Sequence, residues 1–458
     1  MSVKNIVSIG QQLTVSVKRL GINGEGIAYF QKLILFIPGA LPKEKVVVEV
    51  TKVTPGYAEA ALKKVLKKSA ERQVPPCPIY EECGGCQLQH LSYAGQLNFK
   101  VALLKQALQK FKPAGFENYR LLPTIGMDEP WHYRNKAQFP VREKNGQVIA
   151  GLFKANSHDL VSLTDCLVQE PITQEVVNFT RDLLEKFQVP IYDERKNAGI
   201  VKTLVVRCGV ETGQAQLVFV THSPKLPRAK EMIAQLTAKF PQLVSIMQNV
   251  QPTKTSIIFG EETKLLWGVP AITEKLAALT FDLSARAFFQ LNPRQTKVLY
   301  DEARKALALA PNETLVDAYC GVGTIGLSLA PLAREVRGMD IIPEAIKDAR
   351  ENASALHLTN AHYYVGTAET LIPQWVKDGF RPDAIVVDPP RTGLDAKLLK
   401  TLVQFPAQKL VYVSCNVSTL ARDLKTLAQT YQVEYLQSVD MFPQTARCEV
   451  VVKLTRRN

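Results

Sequence analysis

Long apolar runs are the first thing missing from these 458 residues. No uninterrupted stretch approaches the roughly 18 residues that a membrane helix needs, so a spanning protein is not expected. The opening MSVKNIVSIGQQLTVSV has no basic segment leading into an apolar run. Export is therefore not expected either, and the chain reads as cytosolic, a cytoplasmic protein. Internal repeats and low-complexity tracts are absent, which removes solenoids and biased tails. Acidic charge is short: 43 Asp and Glu face 56 Lys and Arg, leaving a formal charge of +13 and a pI near 9.2. An excess of that sign favours a polyanionic partner, nucleic acid before an anionic membrane.

The apolar fraction of 46% is that of a globular protein, and the length allows about three domains. Residues 1–68 carry short alternating strands, LTVSVKRL, GIAYF, LILFIPG and KVVVEVTKV, parted by the turn signals INGEG and GALPKE. That pattern predicts a small β-barrel of the oligonucleotide-binding kind. Lys18, Arg19, Lys43, Lys45, Lys52, Lys63, Lys64, Lys67 and Lys68 stud it, either a solvated surface or an RNA footprint. SAERQVPPCP reads as a linker. Residues 76–283 mix strands (TLVVRCGV, AQLVFVTH) with a helix (AKEMIAQLTAKF), predicting a mixed α/β domain. Residues 284–458 alternate strand and helix repeatedly, which predicts an α/β, Rossmann-like doubly wound sheet with a ligand at the first strand end.

Within that last segment, DAYCGVGTIGLSLA places Gly321 and Gly323 where a backbone must turn after a strand and approach a ligand. Asp340 ends the next strand about 20 residues on, suited to ribose hydroxyls. The pair fits NAD or S-adenosylmethionine and does not separate them. In AIVVDPPRTGLD, Asp388 follows a third apolar strand and two prolines stiffen the turn to Arg391. Amino-group methyltransferases carry an aromatic residue where Arg391 stands, so amine methylation is disfavoured.

LVYVSCNVSTL runs a buried strand into Cys415, with Ser418 and Thr419 available to cap the following helix. A cysteine at a strand's carboxyl end stands where ligands bind in open α/β sheets, although free cysteine is also common as inert packing. A thiolate there can add to C6 of a uracil and make C5 nucleophilic, splitting one hard step into two. Such an adduct needs a base for the C5 proton. Glu449, just before the final strand in ARCEVVVKL, is a candidate.

DAYCGVGTIGLSLA, DPPRTGLD, VSCNVSTLARDL, DMFPQTARCEVVVKL and ARAFFQLNPRQT, taken together, resemble the RNA (uracil-5-)-methyltransferase family, and the first segment resembles its TRAM module. The resemblance implies a nucleophile at Cys415 and a proton-abstracting base at Glu449. It implies that Gln290, Tyr319, Asp340 and Asp388 line an S-adenosylmethionine site, with Asp388 also facing the uracil. Gly321, Thr324 and Thr367 join that site on loop position. Where family members often carry histidine and valine before the glutamate, this chain has Arg447 and Cys448.

Cys77, Cys83 and Cys86 form C-x5-C-x2-C, and Cys166 can complete a set of four. In a reduced compartment this reads as a metal site, for zinc or an iron–sulfur cluster, and spacing does not choose. The second C-x2-C of a zinc ribbon is missing, which leans toward iron. Family members bind a 4Fe-4S cluster with such an arrangement, so the resemblance assigns it to these four. A structural or RNA-positioning role is expected of it. Cys208 and Cys320 read as structural.

The barrel with four cysteines resembles members that act on large-subunit (23S) ribosomal RNA. The expectation is 5-methyluridine formation there by a monomer with no membrane partner. The same chemistry on transfer RNA, a non-catalytic iron–sulfur RNA-binding protein, and an NAD dehydrogenase are the alternatives.

Overall fold

A computed structural model describes residues 6–155, 157–276 and 279–457. In the first segment, apolar residues at every second position turn one face inward: Leu13 and Val15 in Gln12–Ser16, then Val46, Val48 and Val50 in Lys45–Val53. Six strands join in one sheet, in the order Gln12–Ser16, Lys45–Val53, Tyr57–Lys67, Leu33–Ile37, Gly26–Phe30 and Arg19–Leu20. The strand Tyr57–Lys67 is the one that local sequence conceals. YAEAALKKVLK is rich in helix formers, yet it fills the place between two partners. The barrel is tied to the linker by Glu44. Its buried carboxylate accepts from Arg72 Nε (2.6 Å), Arg72 Nη2 (2.8 Å) and the Leu41 amide (2.8 Å).

The middle sheet has seven strands, ordered Leu160–Ser162, Gln147–Phe153, Lys136–Lys144, Val201–Cys208, Ala215–Thr221, Leu243–Val250 and Glu262–Gly268. Helices Pro171–Lys186 and Ala229–Lys239 bury their apolar stripes on it, with Phe139, Val206, Phe219 and Leu236 in the shared core.

The last sheet has eight strands: Ala361–Val365, Glu335–Asp340, Thr314–Ala318, Ala384–Val387, Lys409–Ser414, Glu449–Arg456, Tyr431–Val439 and Arg120–Ile125. The first five are parallel, and Glu449–Arg456 runs antiparallel to both its neighbours. Separate apolar cores cover its two faces, as doubly winding requires. Its outermost strand, Arg120–Ile125, and the helix Tyr93–Phe111 come from a stretch expected in the central domain. The hairpin strands Ala271–Leu276 and Leu279–Ser284 also pack into this sheet's core through Ile272, Phe281 and Leu283. The expected boundary at 284 therefore does not follow the packing. Pairing across some 300 residues leaves no local signal to read.

Candidate active site

Strand register builds the site. Ser414 pairs with Val450, so Cys415, the next residue, lies beside Glu449. Val387 pairs with Tyr412, so Asp388 leaves the sheet at the same edge. Asp317 and Tyr319 sit at the end of Thr314–Ala318, and Asp340 ends its neighbour. Carboxyl ends of four parallel strands and the start of one antiparallel strand thus converge on one rim, where open α/β sheets bind ligands. Glu449 is the first residue of its strand and not a loop residue before it.

The glycine loop is held in an unusual path. Tyr319 adopts φ +63°, Gly321 +55° and Gly323 +83°. A non-glycine in that region stores strain that the surrounding structure must hold. Asp340 helps, its Oδ2 accepting from the Gly321 amide at 3.1 Å and its Oδ1 from the Ile342 amide at 3.0 Å. A Cβ on Gly321 would meet nothing within 4 Å, whereas one on Gly323 would strike the Tyr363 ring at 2.9 Å. Space is therefore open on one side of the loop and closed on the other.

Two of the residues placed by loop position are partly committed elsewhere. Thr324 shares a 2.9 Å hydrogen bond with Tyr300, and Thr367 shares one of 2.8 Å with Thr370. Thr367 nonetheless borders Asp340, whose carbonyl accepts from the Gly366 amide at 3.0 Å. Gln290 is half-buried, and its carbonyl accepts from Asn135 at 3.3 Å.

Electrostatics set the resting state of the rim. Burial pushes Asp388 up to about 7 and Asp317 up to about 7. Glu449 is pushed up to about 8, first by burial and then by Asp388, while Arg391 and Lys100 oppose the rise. Cys415 reaches about 11 through burial and the nearby Glu449 and Asp388, again opposed by Arg391. Desolvation and like charge act together here, so the rim holds protons that exposed groups would release. Clustered shifts of this kind mark functional sites.

Residues just after Cys415 fix the DPPR loop. Asn416 Nδ2 donates to the Arg391 carbonyl at 2.8 Å, and Thr419 Oγ1 donates to the same oxygen at 3.3 Å. Arg422 Nη2 reaches the Thr392 and Leu394 carbonyls at 2.9 and 3.1 Å, and buried Asp423 accepts from the Leu394 amide at 2.8 Å. Asn416 is also the cap of helix Val417–Leu427, displacing Ser418 and Thr419 from that expected role. Sequence reasoning passed over Asn416, Arg422 and Asp423. The asparagine directly after the strand was a readable cap signal.

Cys77, Cys83, Cys86 and Cys166 come together around one cavity of about 290 Å³, with Ile79, Tyr80 and Phe139 among its walls. Cys86 is pushed up to about 12 by burial and by the other three thiols. Among the described residues no three His, Cys, Asp or Glu side chains close around a single ion position. Cys208, Cys320 and Cys448 are buried elsewhere. No helix among the described residues is long and apolar enough to cross a membrane.

A doubly wound sheet with a strained glycine loop, an acid at the next strand end and a cysteine–carboxylate rim fits the class of methyltransferases that use S-adenosylmethionine. Comparison with known proteins makes this specific. Residues 92–457 match the tRNA (Uracil-5-)-methyltransferase family and residues 7–63 match the TRAM domain. An uncharacterized RNA methyltransferase of Enterococcus faecalis is 63% identical over 454 residues, 99% of this chain and 100% of the relative. One of Listeria innocua is 57% identical over 455 residues, 99% and 100% of the two chains. The crystal structure of Pyrococcus abyssi tRNA (uracil-54, C5)-methyltransferase in complex with S-adenosyl-L-homocysteine is similar, with a TM-score of 0.76 and 27% identity over 97% of this chain and 100% of that one. The chain belongs to the uracil-5 methyltransferase family and is an RNA methyltransferase.

Proposed function

We propose that the protein forms 5-methyluridine in 23S ribosomal RNA through a covalent Cys415 adduct. The observation that carries this reading is the register that sets Cys415 beside Glu449 on the rim shared with Asp388. S-adenosylmethionine supplies the methyl group, and Gln290, Tyr319, Gly321, Asp340, Asp388, Thr324 and Thr367 are the residues proposed to hold it. The target uridine is flipped from its stack to reach the rim. Arg391 favours the Cys415 thiolate, and Asp388, whose carboxyl is pushed up to about 7, is proposed to take the thiol proton. The thiolate adds to C6, the C5=C6 pair moves to make C5 nucleophilic, and C5 takes the methyl group. Glu449 then accepts the C5 proton, the C6–S bond breaks, and the double bond returns. A base with a pKa near 8 binds that proton strongly, and only its minor ionised fraction near neutral pH is competent to accept it.

The four-cysteine cavity is proposed to hold a 4Fe-4S cluster as a structural or RNA-positioning element. Each corner iron takes one thiolate, so the cysteines must surround a volume and not converge on a point. A cavity of about 290 Å³ with apolar walls fits that demand better than a single zinc ion does.

The barrel's exposed lysines support RNA as the partner. A second reading, uridine in transfer RNA, is favoured by the Pyrococcus neighbour, whose likeness extends over the barrel as well as the catalytic part. Methyl transfer from labelled S-adenosylmethionine to purified 23S ribosomal RNA and to unmodified transfer RNA tests both. Label in 5-methyluridine of ribosomal RNA supports the first reading, and label only in transfer RNA replaces it. Label in any base other than uracil, or full activity in Cys415→Ala, would overturn the mechanism.

A further inference from the structure

Glu449 sits at the end of a loop, Asp440 to Cys448, that returns from strand Tyr431–Val439 to strand Glu449–Arg456. Five successive carbonyls of that loop are bonded from outside it. Asp440 O accepts from Gln295 Nε2 (3.1 Å), Met441 O from Asn292 Nδ2 (3.0 Å), and Phe442 O from Lys100 Nζ (3.3 Å). Pro443 O accepts from the Tyr133 hydroxyl (3.0 Å), and Gln444 O from the Gln87 and Leu88 amides (3.0 Å each). The donors come from four separate stretches of chain. Gln444 holds a left-handed φ of +68°, and its side chain and amide exchange two 2.9 Å bonds with Gln96. Lys100 also pairs with Asp440, and both are fully buried.

The loop is buried, so its carbonyls must be bonded, but here the donors are mostly side chains from distant stretches and not its own strand neighbours, so its path is set from outside. A buried ion pair is also weak as a source of stability, so its presence beneath a functional strand end calls for another reason. We propose that Gln96, Lys100 and Tyr133 are positioning residues that hold Glu449 against Cys415 through this loop. The inference rests on Glu449 being the base that resolves the adduct. Lys100 in addition draws the proton affinity of Glu449 down toward neutrality. Gln87 and Leu88 directly follow Cys86, so the clamp also joins the cysteine cavity to the reacting edge.

Tyr133→Phe removes one hydroxyl and Gln96→Leu one buried amide. Both are compared, as full-length proteins, with wild type and Glu449→Gln for kcat, KM for RNA and the fraction of enzyme in a denaturation-resistant RNA complex. The clamp predicts kcat lower by about five- to tenfold, the effect of one buried hydrogen bond. It also predicts a KM for RNA that falls with kcat, because the adduct accumulates, and a larger trapped fraction that disappears when Cys415→Ala is added. A merely structural loop would lower the amount of folded protein without changing how the adduct partitions. Glu449→Gln that traps complex, beside unchanged kcat and trapping in both folded clamp variants, would overturn the clamp alone. Glu449→Gln that never traps complex would overturn the base assignment and the clamp with it.

Discussion

Asp388 is held on the rim at a cost that can be measured without any substrate. Its carboxyl titrates near about 7 in the fold against an ordinary 3.8, and burial is the cause. The folded state therefore binds the proton more tightly than the unfolded state does. Stability is greatest below the ordinary value and is lost as pH rises from about 4 through about 7. That gap corresponds to a ceiling of about 4 kcal/mol. Asp388 is only half-buried, so solvent screening brings the expectation down to about 1–2 kcal/mol. Asp388→Asn removes the ionisation and keeps the shape. It should equal wild type in chemical denaturation at pH 4 and exceed it by about 1–2 kcal/mol at pH 8, while losing methyl transfer. Glu449 reinforces the effect, because without the neighbouring charge its own carboxyl becomes easier to ionise. A difference between the two proteins that is flat with pH, or that favours wild type above pH 7, would refute the claim that burial governs this carboxyl.

Glu44 has the opposite sign. Burial raises its pKa, but the bonds from Arg72 and from the Leu41 and Ser69 amides outweigh it and leave the value lowered. Its contribution is present above the usual carboxylate range and lost as pH falls, so Arg72→Ala should destabilise by about 1–3 kcal/mol at pH 7 and by less at pH 3, read by thermal unfolding. Lys63, Lys64 and Lys67 are exposed on one barrel strand. Replacing all three with alanine should lower RNA affinity and reduce the slope of log K against log salt by about 2, read by titration at several salt concentrations. Cys86→Ser should lose iron and acid-labile sulfide together when the purified protein is assayed. Full retention of both would count against the proposed cluster.

How much of this was written locally can be argued residue by residue. The alternating barrel strands, the βα repeats after 284 and the glycine loop follow from period and turn chemistry, which act over a few residues. Cys415 and Asp388 were legible for the same reason, since each ends an apolar run. Tyr57–Lys67 was not, because its alanines and lysines favour helix until two neighbouring strands overrule them. Nor was the strand Arg120–Ile125, whose partner lies more than 300 residues later. The acids' protonation was hidden too. Nothing in AIVVDPP states that Asp388 stays close to Glu449, a proximity that only the sheet order creates.

That sheet order explains why the proposed nucleophile and the proposed base sit on neighbouring strands. Glu449 and Asp388 both raise the proton affinity of the Cys415 thiol, and Asp388 raises that of Glu449. Before RNA arrives the rim is therefore held largely in its neutral form, which limits stray alkylation or oxidation of Cys415, since only the thiolate reacts. In the proposed mechanism a sulfur bonded to C6 bears no charge, so Glu449 can ionise beside it without the repulsion that a free thiolate would exert. An antiparallel strand inserted beside the parallel set brings its first residue to the same rim as Cys415, where the proposed adduct would form.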